Sequence, residues 1–275
     1  MAKHFTILAL FLLVICSLAF SQGLVTPPKN GSVYVIAHRG AHIGIPENSL
    51  AAYQKAIDLG CDFVEIDVRT SKDNQFVSVH NSTIDAYVEG KSGKVSEMTL
   101  AELKQLDIGI KIGAEWKNTR IPTFEEILQL CHGKIGIYLD LKDADPAGLI
   151  EIIKKYHMEQ HIVWCIGGSA HKTIMEIKHE CPSCIPMPDP YEEKNLEKVM
   201  VAYQPKVVAS MMRFYTKSFG EYVHDKGAIV FVDDSENFMD KLHKEWQLMF
   251  DWHVDGIQTD QAEALIKYIK SMKKP

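Results

Sequence analysis

The sequence lacks the features that mark nucleic-acid-binding proteins and repeat proteins. It has 275 residues, a formal net charge of −6 and no cluster of basic residues, so nucleic acid is not an expected partner. No block of about 20 to 50 residues recurs along the chain, which excludes solenoids and propellers. What remains is an ordinary globular composition, with 46% hydrophobic and 24% charged residues, enough for a large core.

Cysteines are also few. Those outside the N-terminal apolar run are Cys61, Cys131, Cys165, Cys181 and Cys184. Their odd number argues against a disulfide framework, which a fold of this size does not need. The segment CPSC at 181–184 is interpreted as a local disulfide or a redox pair, whereas one CxxC without a second pair is a weak zinc signal.

Long hydrophobic runs are almost absent. One apolar run covers residues 5–20, which is shorter than a comfortable bilayer span. It follows Lys3 and leads to Ser21 in the A-x-S spacing of a signal-peptidase site. We therefore expect a signal peptide over 1–21, a linker over 22–32, and an exported protein, periplasmic or secreted. No stable membrane anchor is expected; a retained anchor is the alternative.

The rest of the chain alternates short apolar runs with amphipathic segments, which predicts a (β/α)8 TIM barrel over 33–275 with chemistry at the C-terminal ends of the strands. The predicted strands are Val33–Ala37, Phe63–Val68, Ile135–Leu141, Ile162–Ile166, Cys184–Met187, Val207–Ser210, Ile229–Val232 and Gly256–Gln258. Asn48 is the expected N-cap of the first helix, and Gly60 its end. Thr99 and Glu102 form a capping box before another helix.

A ninth extended run, Phe76–His80, follows the second strand too closely for a crossover helix. Residues 67–80 are therefore predicted to form a hairpin centred near 73 to 74, which lays His80 opposite Asp67. The segment at about 82–120 is then an insertion after this hairpin.

Carboxylates are concentrated on two of the predicted strands. Because side chains alternate along a strand, Glu65 and Asp67 face the barrel interior, and so do Asp140 and Lys142. Three carboxylates at one mouth repel each other unless they are protonated or bind a cation. Oxygen ligands favour Mg²⁺ or Ca²⁺ over zinc. The alternative is a structural ion pair of Asp140 with Lys142 or Arg39.

Two histidines are expected at the same mouth. His38 ends the first strand and His80 ends the hairpin, and imidazole is the side chain best suited to proton transfer near neutral pH. Arg39 and Lys142 add positive charge. A site of this composition is suited to an anion that needs charge neutralisation and proton transfer, and phosphate is the leading candidate.

The chain resembles the glycerophosphodiester phosphodiesterase family, which belongs with the phosphatidylinositol-phospholipase-C-like phosphodiesterase barrels. Seven segments carry the resemblance in order: AHRG (37–40), PENS (46–49), EIDV (65–68), VSVHN (77–81), IPTFEEIL (121–128), LDLK (139–142) and VDGIQTD (254–260). The resemblance implies a barrel that uses a divalent metal to hydrolyse glycerophosphodiesters, small-molecule substrates of lipid metabolism, to sn-glycerol 3-phosphate and an alcohol. Some members are exported.

The resemblance also implies roles for individual residues. It implies metal binding by Glu65, Asp67 and Asp140, acid and base catalysis by His38 and His80, and phosphate binding by Arg39 and Lys142. Glu47 is expected to organise its loop rather than to bind the metal.

Three positions depart from the family pattern. Asp140 replaces the more usual Glu, and Asn81 replaces the Asp that usually follows the second histidine. Where many members have a Trp-Thr motif, this chain has FVDDSEN, with Asp233 and Asp234 after the strand. These two acids either favour a cationic head group, such as choline or ethanolamine, or belong to a solvated loop.

Two alternative functions stay open from the sequence. Phospholipase C-like and D-like barrels that act on phospholipids or lysophospholipids use similar residues. A non-catalytic barrel that only binds phosphodiesters is the other alternative, although both histidines, Arg39 and all three carboxylates are present.

Overall fold

The computed structural model describes residues 27–235 and 238–272. The expected signal peptide lies outside the described residues, as does the linker up to residue 26. The strands are β1 Tyr34–Ala37, β2 Phe63–Thr70, β3 Phe76–Ser78, β4 Gly136–Leu141, β5 Ile162–Gly167, β6 Ile185–Asp189, β7 Val207–Met211, β8 Ile229–Asp233 and β9 Gly256–Thr259. The α-helices are α1 Leu50–Leu59, α2 Leu100–Leu103, α3 Phe124–Cys131, α4 Pro146–Lys155, α5 His171–Glu180, α6 Leu196–Tyr203, α7 Lys217–Asp225, α8 Met239–Asp251 and α9 Ala262–Met272.

Eight parallel strands form a nearly closed barrel in the order β6-β5-β4-β2-β1-β9-β8-β7, with β3 antiparallel to β2. The predicted TIM barrel is confirmed, and each predicted strand is present with ends that differ by two residues or fewer. β6 and β7 lie side by side without pairing in the described sheet. Pro186 and Pro188 explain this seam, because proline has no N–H to donate across it.

Side chains of the strands alternate between two cores. Val64, Ile66 and Val68 pack with the helices outside the barrel. Phe63 and Phe231 pack edge to face inside it, with ring centroids 5.5 Å apart. This aromatic layer closes the barrel interior, so the inward-facing residues nearer the C-terminal strand ends surround the mouth.

The hairpin is present, but its register differs from the prediction by one residue. Val68 pairs with Ser78, and the Val79 N–H donates to the Asp67 carbonyl at 3.1 Å. Asp67 is therefore opposite Val79, and the prediction that it faces His80 is wrong. The turn is centred on a residue, Asp73, rather than between two residues, because Asn74 takes a left-handed conformation with φ 57°.

The segment after β3 has its own apolar cluster, separate from the barrel cores. It contains two 3-10 turns, Val95–Glu97 and Ala114–Trp116, and the expected capping box of Thr99 with Glu102 at the start of α2. The Trp116 indole N–H donates to the Gly44 carbonyl at 2.7 Å. The insertion is thereby attached to the loop between β1 and α1.

The first helix begins one residue later than predicted. Ser49, not Asn48, is its N-cap, and the Ser49 hydroxyl accepts from the Ala52 N–H at 3.2 Å. Gly60 ends the helix in a left-handed conformation, as expected. Asn48 is thus free for another role, which lies in the candidate site.

The CPSC segment forms the local disulfide Cys181–Cys184, which leaves Cys61, Cys131 and Cys165 as free thiols. Within 27–235 and 238–272, no helix has both the length and the apolar character needed to cross a bilayer.

Candidate active site

Three carboxylates converge at the C-terminal ends of β2 and β4. Glu65 and Asp67 lie on β2, and Asp140 is the register partner of Asp67 on β4. One oxygen from each of the three lies within 4.8 Å of the others. Glu65 and Asp67 are almost fully buried. The structure therefore brings together the acidic cluster that the strand alternation predicts.

Two cations partly neutralise this cluster. Lys142 Nζ lies 3.0 Å from Asp67 Oδ1 and 2.5 Å from Asp140 Oδ2, so the ion pair considered as an alternative is present. Arg39 Nε lies 3.8 Å from Asp67 Oδ2, but its Nη1 donates to both Glu47 oxygens at 3.0 and 3.1 Å. With Glu65 included, the site has more carboxylates than cations.

The electrostatics of the cluster favour a further cation. Burial raises the pKa of Glu65 well above its usual range, and the negative charges of Asp67 and Asp140 raise it further. Burial also raises the pKa of Asp140, although Lys142 opposes this. Because every donor is a carboxylate oxygen, the cluster fits a hard divalent ion such as Mg²⁺ or Ca²⁺.

Asn48 is a site residue that the sequence analysis missed. Its side chain is buried and its Nδ2 donates to Asp67 Oδ2 at 2.8 Å. The Asn48 Oδ1 accepts from the hydroxyls of Tyr53 and Ser78, each at 2.9 Å. These bonds fix the orientation of the Asp67 carboxylate. Asn48 has a φ of 50°, a left-handed conformation that asparagine tolerates better than most residues.

Arg39 is held from both its backbone and its side chain. It has a φ of 52°, and its backbone N–H donates to Glu65 Oε2 at 2.7 Å. Glu47 fixes the guanidinium, as expected of a residue that organises this loop. The buried Arg39 Nε has no hydrogen-bond partner among the described residues. This N–H is therefore available to a ligand anion.

His38 is paired with a second residue that the sequence analysis missed, Asp260. The distance from His38 Nδ1 to Asp260 Oδ1 is 2.6 Å. Burial acts to raise the pKa of Asp260, but the hydrogen bond from His38 and the nearby positive charges lower it below its usual value. The strand register explains the contact. Ala37 at the end of β1 pairs with Thr259 at the end of β9, so the residues that follow them, His38 and Asp260, lie side by side.

His80 has a neutral partner instead. Its Nδ1 lies 2.9 Å from Asn81 Oδ1, and Arg69 donates to the His80 carbonyl at 3.0 and 2.7 Å. An amide oxygen only accepts hydrogen bonds, so the proton of a neutral His80 lies on Nδ1 and Nε2 carries a lone pair.

Comparison with known protein families matches this chain to one of them. The model described as "Glycerophosphoryl diester phosphodiesterase family" matches residues 38–179, a range that contains all seven of the site residues expected from the sequence. A "Glycerophosphodiester phosphodiesterase" from Caldanaerobacter subterraneus subsp. tengcongensis is 32% identical over 253 residues, covering 86% of this chain and 97% of the relative.

Solved structures share the same fold. A glycerophosphodiester phosphodiesterase from Agrobacterium tumefaciens is similar with a TM-score of 0.75 and 23% identity, covering 86% of this chain and 99% of that one. A phosphodiesterase from Oleispira antarctica, solved in complex with the product sn-glycerol-3-phosphate, has a TM-score of 0.75 and 23% identity, covering 86% and 96%.

Proposed function

The chain belongs to the glycerophosphoryl diester phosphodiesterase family, and we propose that it hydrolyses glycerophosphodiesters to sn-glycerol 3-phosphate and an alcohol. The observation that carries this proposal is the convergence of three carboxylates within 4.8 Å, with Arg39 and Lys142 next to them. The product in the Oleispira antarctica complex supports the same reaction. The family match does not favour the phospholipase-like or non-catalytic alternatives.

The phosphodiester binds at the barrel mouth, next to the carboxylate cluster, Arg39 and Lys142. Glu65, Asp67 and Asp140 would hold one Ca²⁺ or Mg²⁺ ion, which supplies charge neutralisation for the phosphodiester when it is bound. The unpartnered Arg39 Nε–H donates to a phosphate oxygen. Lys142 lies next to Asp67 and Asp140 and adds a second fixed charge as negative charge grows at phosphorus.

The two histidines divide the proton transfers. The Asp260 carboxylate stabilises the charged imidazolium of His38, so His38 donates the proton to the leaving alkoxide. His80 receives no such charge from Asn81, and its Nε2 lone pair takes the proton of the attacking hydroxyl, from water or from the substrate's glycerol. Asp260 acts through His38 and is a positioning residue.

Histidine variants test these roles. In His38→Ala and His80→Ala, kcat for release of sn-glycerol 3-phosphate should fall by about 100-fold or more, the usual size of an acid-base contribution. His179→Ala is the matched control, because the His179 side chain is 84% exposed in α5 and is not a site residue. Near-normal turnover by either site variant contradicts its role.

We also propose that the chain is exported and processed near Ser21. The apolar N-terminal run supports this, and so does the Cys181–Cys184 disulfide, since disulfides persist in oxidising compartments. Mass spectrometry of the protein from the cell and from the exported fraction tests it. A full-length, unprocessed chain retained in the cell contradicts the proposal.

A further inference from the structure

A second group of polar side chains faces the barrel mouth, and the reaction described above does not use it. Asp233 follows the inward-facing Phe231 by two residues on β8, and Gln258 on β9 is its register partner. On β6, Met187 faces the interior, so Asp189 two residues later faces the mouth. The three residues border the mouth away from β2 and β4.

Two acceptor atoms in this group are buried and unpartnered. Asp233 Oδ1 and Gln258 Oε1 have no hydrogen-bond partner within the described parts of the chain, and both atoms are shielded from solvent. The Gln258 side chain is well buried, since the residue is 7% exposed. A buried acceptor without a donor is costly, and most are satisfied in folded proteins. Asp233 and Gln258 are register partners on adjacent strands, so their side chains are neighbours. One ligand with two hydrogen-bond donors can therefore bind to both.

The same atoms lie in a negative environment. Burial raises the pKa of Asp233 well above its usual range, and the charge of Asp189 raises it further. Burial raises the pKa of Asp189 itself to about 6.

Other charged groups also act on these two residues. Asp140 and Asp234 add negative charge, while Lys142 opposes them at Asp233 and Arg213 opposes them at Asp189. The Arg213 guanidinium is exposed and lies 4.7 Å from the centroid of the Phe214 ring, and Lys142 is engaged with Asp140. A positively charged ligand is therefore favoured next to Asp233.

A pocket connects these acceptors to the catalytic side of the mouth. Its volume is about 320 Å³, and its walls include His38, Arg213, Asp233, Gln258 and Asp260. The leaving alcohol of the substrate is bonded to phosphorus through the oxygen that His38 protonates. Its remaining atoms can therefore extend from His38 into this pocket.

Building on the proposed function, we propose that this pocket binds the primary ammonium group of the substrate's alcohol. Asp233 Oδ1 and Gln258 Oε1 each accept one of its N–H donors, and the negative surroundings complement its charge. A primary ammonium has three donors, whereas a trimethylammonium has none and a neutral hydroxyl lacks the charge. The preferred substrates are thus glycerophosphodiesters of primary amino alcohols, such as glycerophosphoethanolamine.

The test compares three substrates with the full-length protein. We expect kcat/KM for glycerophosphoethanolamine to exceed the values for glycerophosphocholine and glycerophosphoglycerol by about tenfold or more, the usual effect of hydrogen bonds to a charged group. Asp233→Asn keeps the shape of the side chain and removes its charge. In this variant, the ratio of kcat/KM for glycerophosphoethanolamine to kcat/KM for glycerophosphoglycerol should fall by about tenfold. In Gln258→Leu, a second and independent variant, the ratio should fall by about threefold or more.

Asp85→Asn is the matched control, because Asp85 is an exposed acid in the insertion. The ratio of kcat/KM for the ethanolamine substrate to that for the glycerol substrate should be the same in this variant as in the wild type. If the wild type hydrolyses all three substrates equally, the reaction stands and the ammonium pocket is refuted. If Asp233→Asn lowers kcat/KM for every substrate by the same factor, Asp233 contacts the shared glycerol and the assignment is overturned. If no substrate releases sn-glycerol 3-phosphate, the proposed function fails as well.

Discussion

Replacing Asp260 by Asn removes the negative charge that faces His38 while it preserves the shape of the side chain. The two groups are joined at 2.6 Å in the structure. If His38 protonates the leaving alkoxide, the positively charged form of His38 is stabilised by the Asp260 carboxylate. The substitution should therefore lower kcat more than it raises KM, because Asp260 acts through His38.

The size of the effect follows from Coulomb's law. Two unit charges with centres about 4 Å apart interact by about 4 kcal/mol at an effective dielectric constant of about 20. His38 and Asp260 side chains are 28% and 44% exposed, so solvent screening reduces this to about 2 kcal/mol. At about 1.4 kcal/mol for each factor of ten, kcat should fall about 30-fold.

The assay measures kcat and KM for glycerophosphoethanolamine in the wild type, Asp260→Asn and Asp260→Glu. Asp260→Asn should lower kcat with little change in KM, because His38 has lost the carboxylate that faces it. Asp260→Glu returns the negative charge and should restore part of kcat.

Two results are incompatible with this role of Asp260. A kcat within about twofold of the wild type in Asp260→Asn would show that the pair contributes nothing to the chemistry. A kcat in Asp260→Glu no higher than in Asp260→Asn would show that His38 does not depend on the negative charge.

Three further predictions concern stability and metal binding. Asn48→Ala removes the donor to Asp67 and the oxygen that accepts from the Tyr53 and Ser78 hydroxyls, and it places alanine in a left-handed conformation. We expect the free energy of unfolding in urea to fall by about 2 to 4 kcal/mol and the metal affinity to fall by about tenfold or more. Asp234 has its pKa raised to about 7 by burial, from an ordinary value of 3.8, while Trp246 donates to its Oδ2. The folded protein then binds the proton more tightly than the unfolded chain, so its stability should fall as pH rises from about 4 to 7, by an amount on the order of 3 kcal/mol. Asp234→Asn should abolish that part of the decline, and parallel stability curves for both proteins would contradict it. Ca²⁺ or Mg²⁺ at about 100 times its dissociation constant should stabilise the protein by about 2.7 kcal/mol in thermal unfolding, and Asp140→Asn should lose most of this gain.

The sequence was sufficient for the barrel and for the acidic cluster at its mouth. Alternation along FVEIDV places Glu65 and Asp67 inside, because the side-chain period of a strand does not depend on its partners. Strand ends were accurate to within two residues where charged residues bound the apolar run, as Lys134 and Lys142 do around β4. The hairpin register was wrong by one residue because it depends on the conformation of Asn74, which the pattern of polar residues does not determine.

The partners of the site residues were not predictable in the same way. Asp260 lies 222 residues from His38 in the chain, and their contact depends on the pairing of β1 with β9 that closes the barrel. Asn48 was assigned to a helix cap, since that is the commoner use of asparagine before a helix. The structure gives the cap to Ser49 and uses Asn48 to orient Asp67.

Phosphorus NMR of glycerophosphoethanolamine mixed with the purified protein measures the proposed hydrolysis directly. The protein is first stripped of metal with a chelator, and Ca²⁺ or Mg²⁺ is then added back, with His38→Ala measured in parallel. We expect a phosphomonoester signal of sn-glycerol 3-phosphate that appears only with the added ion and is almost absent in the variant. Equal hydrolysis by the stripped protein, or the same rate in His38→Ala, would contradict it.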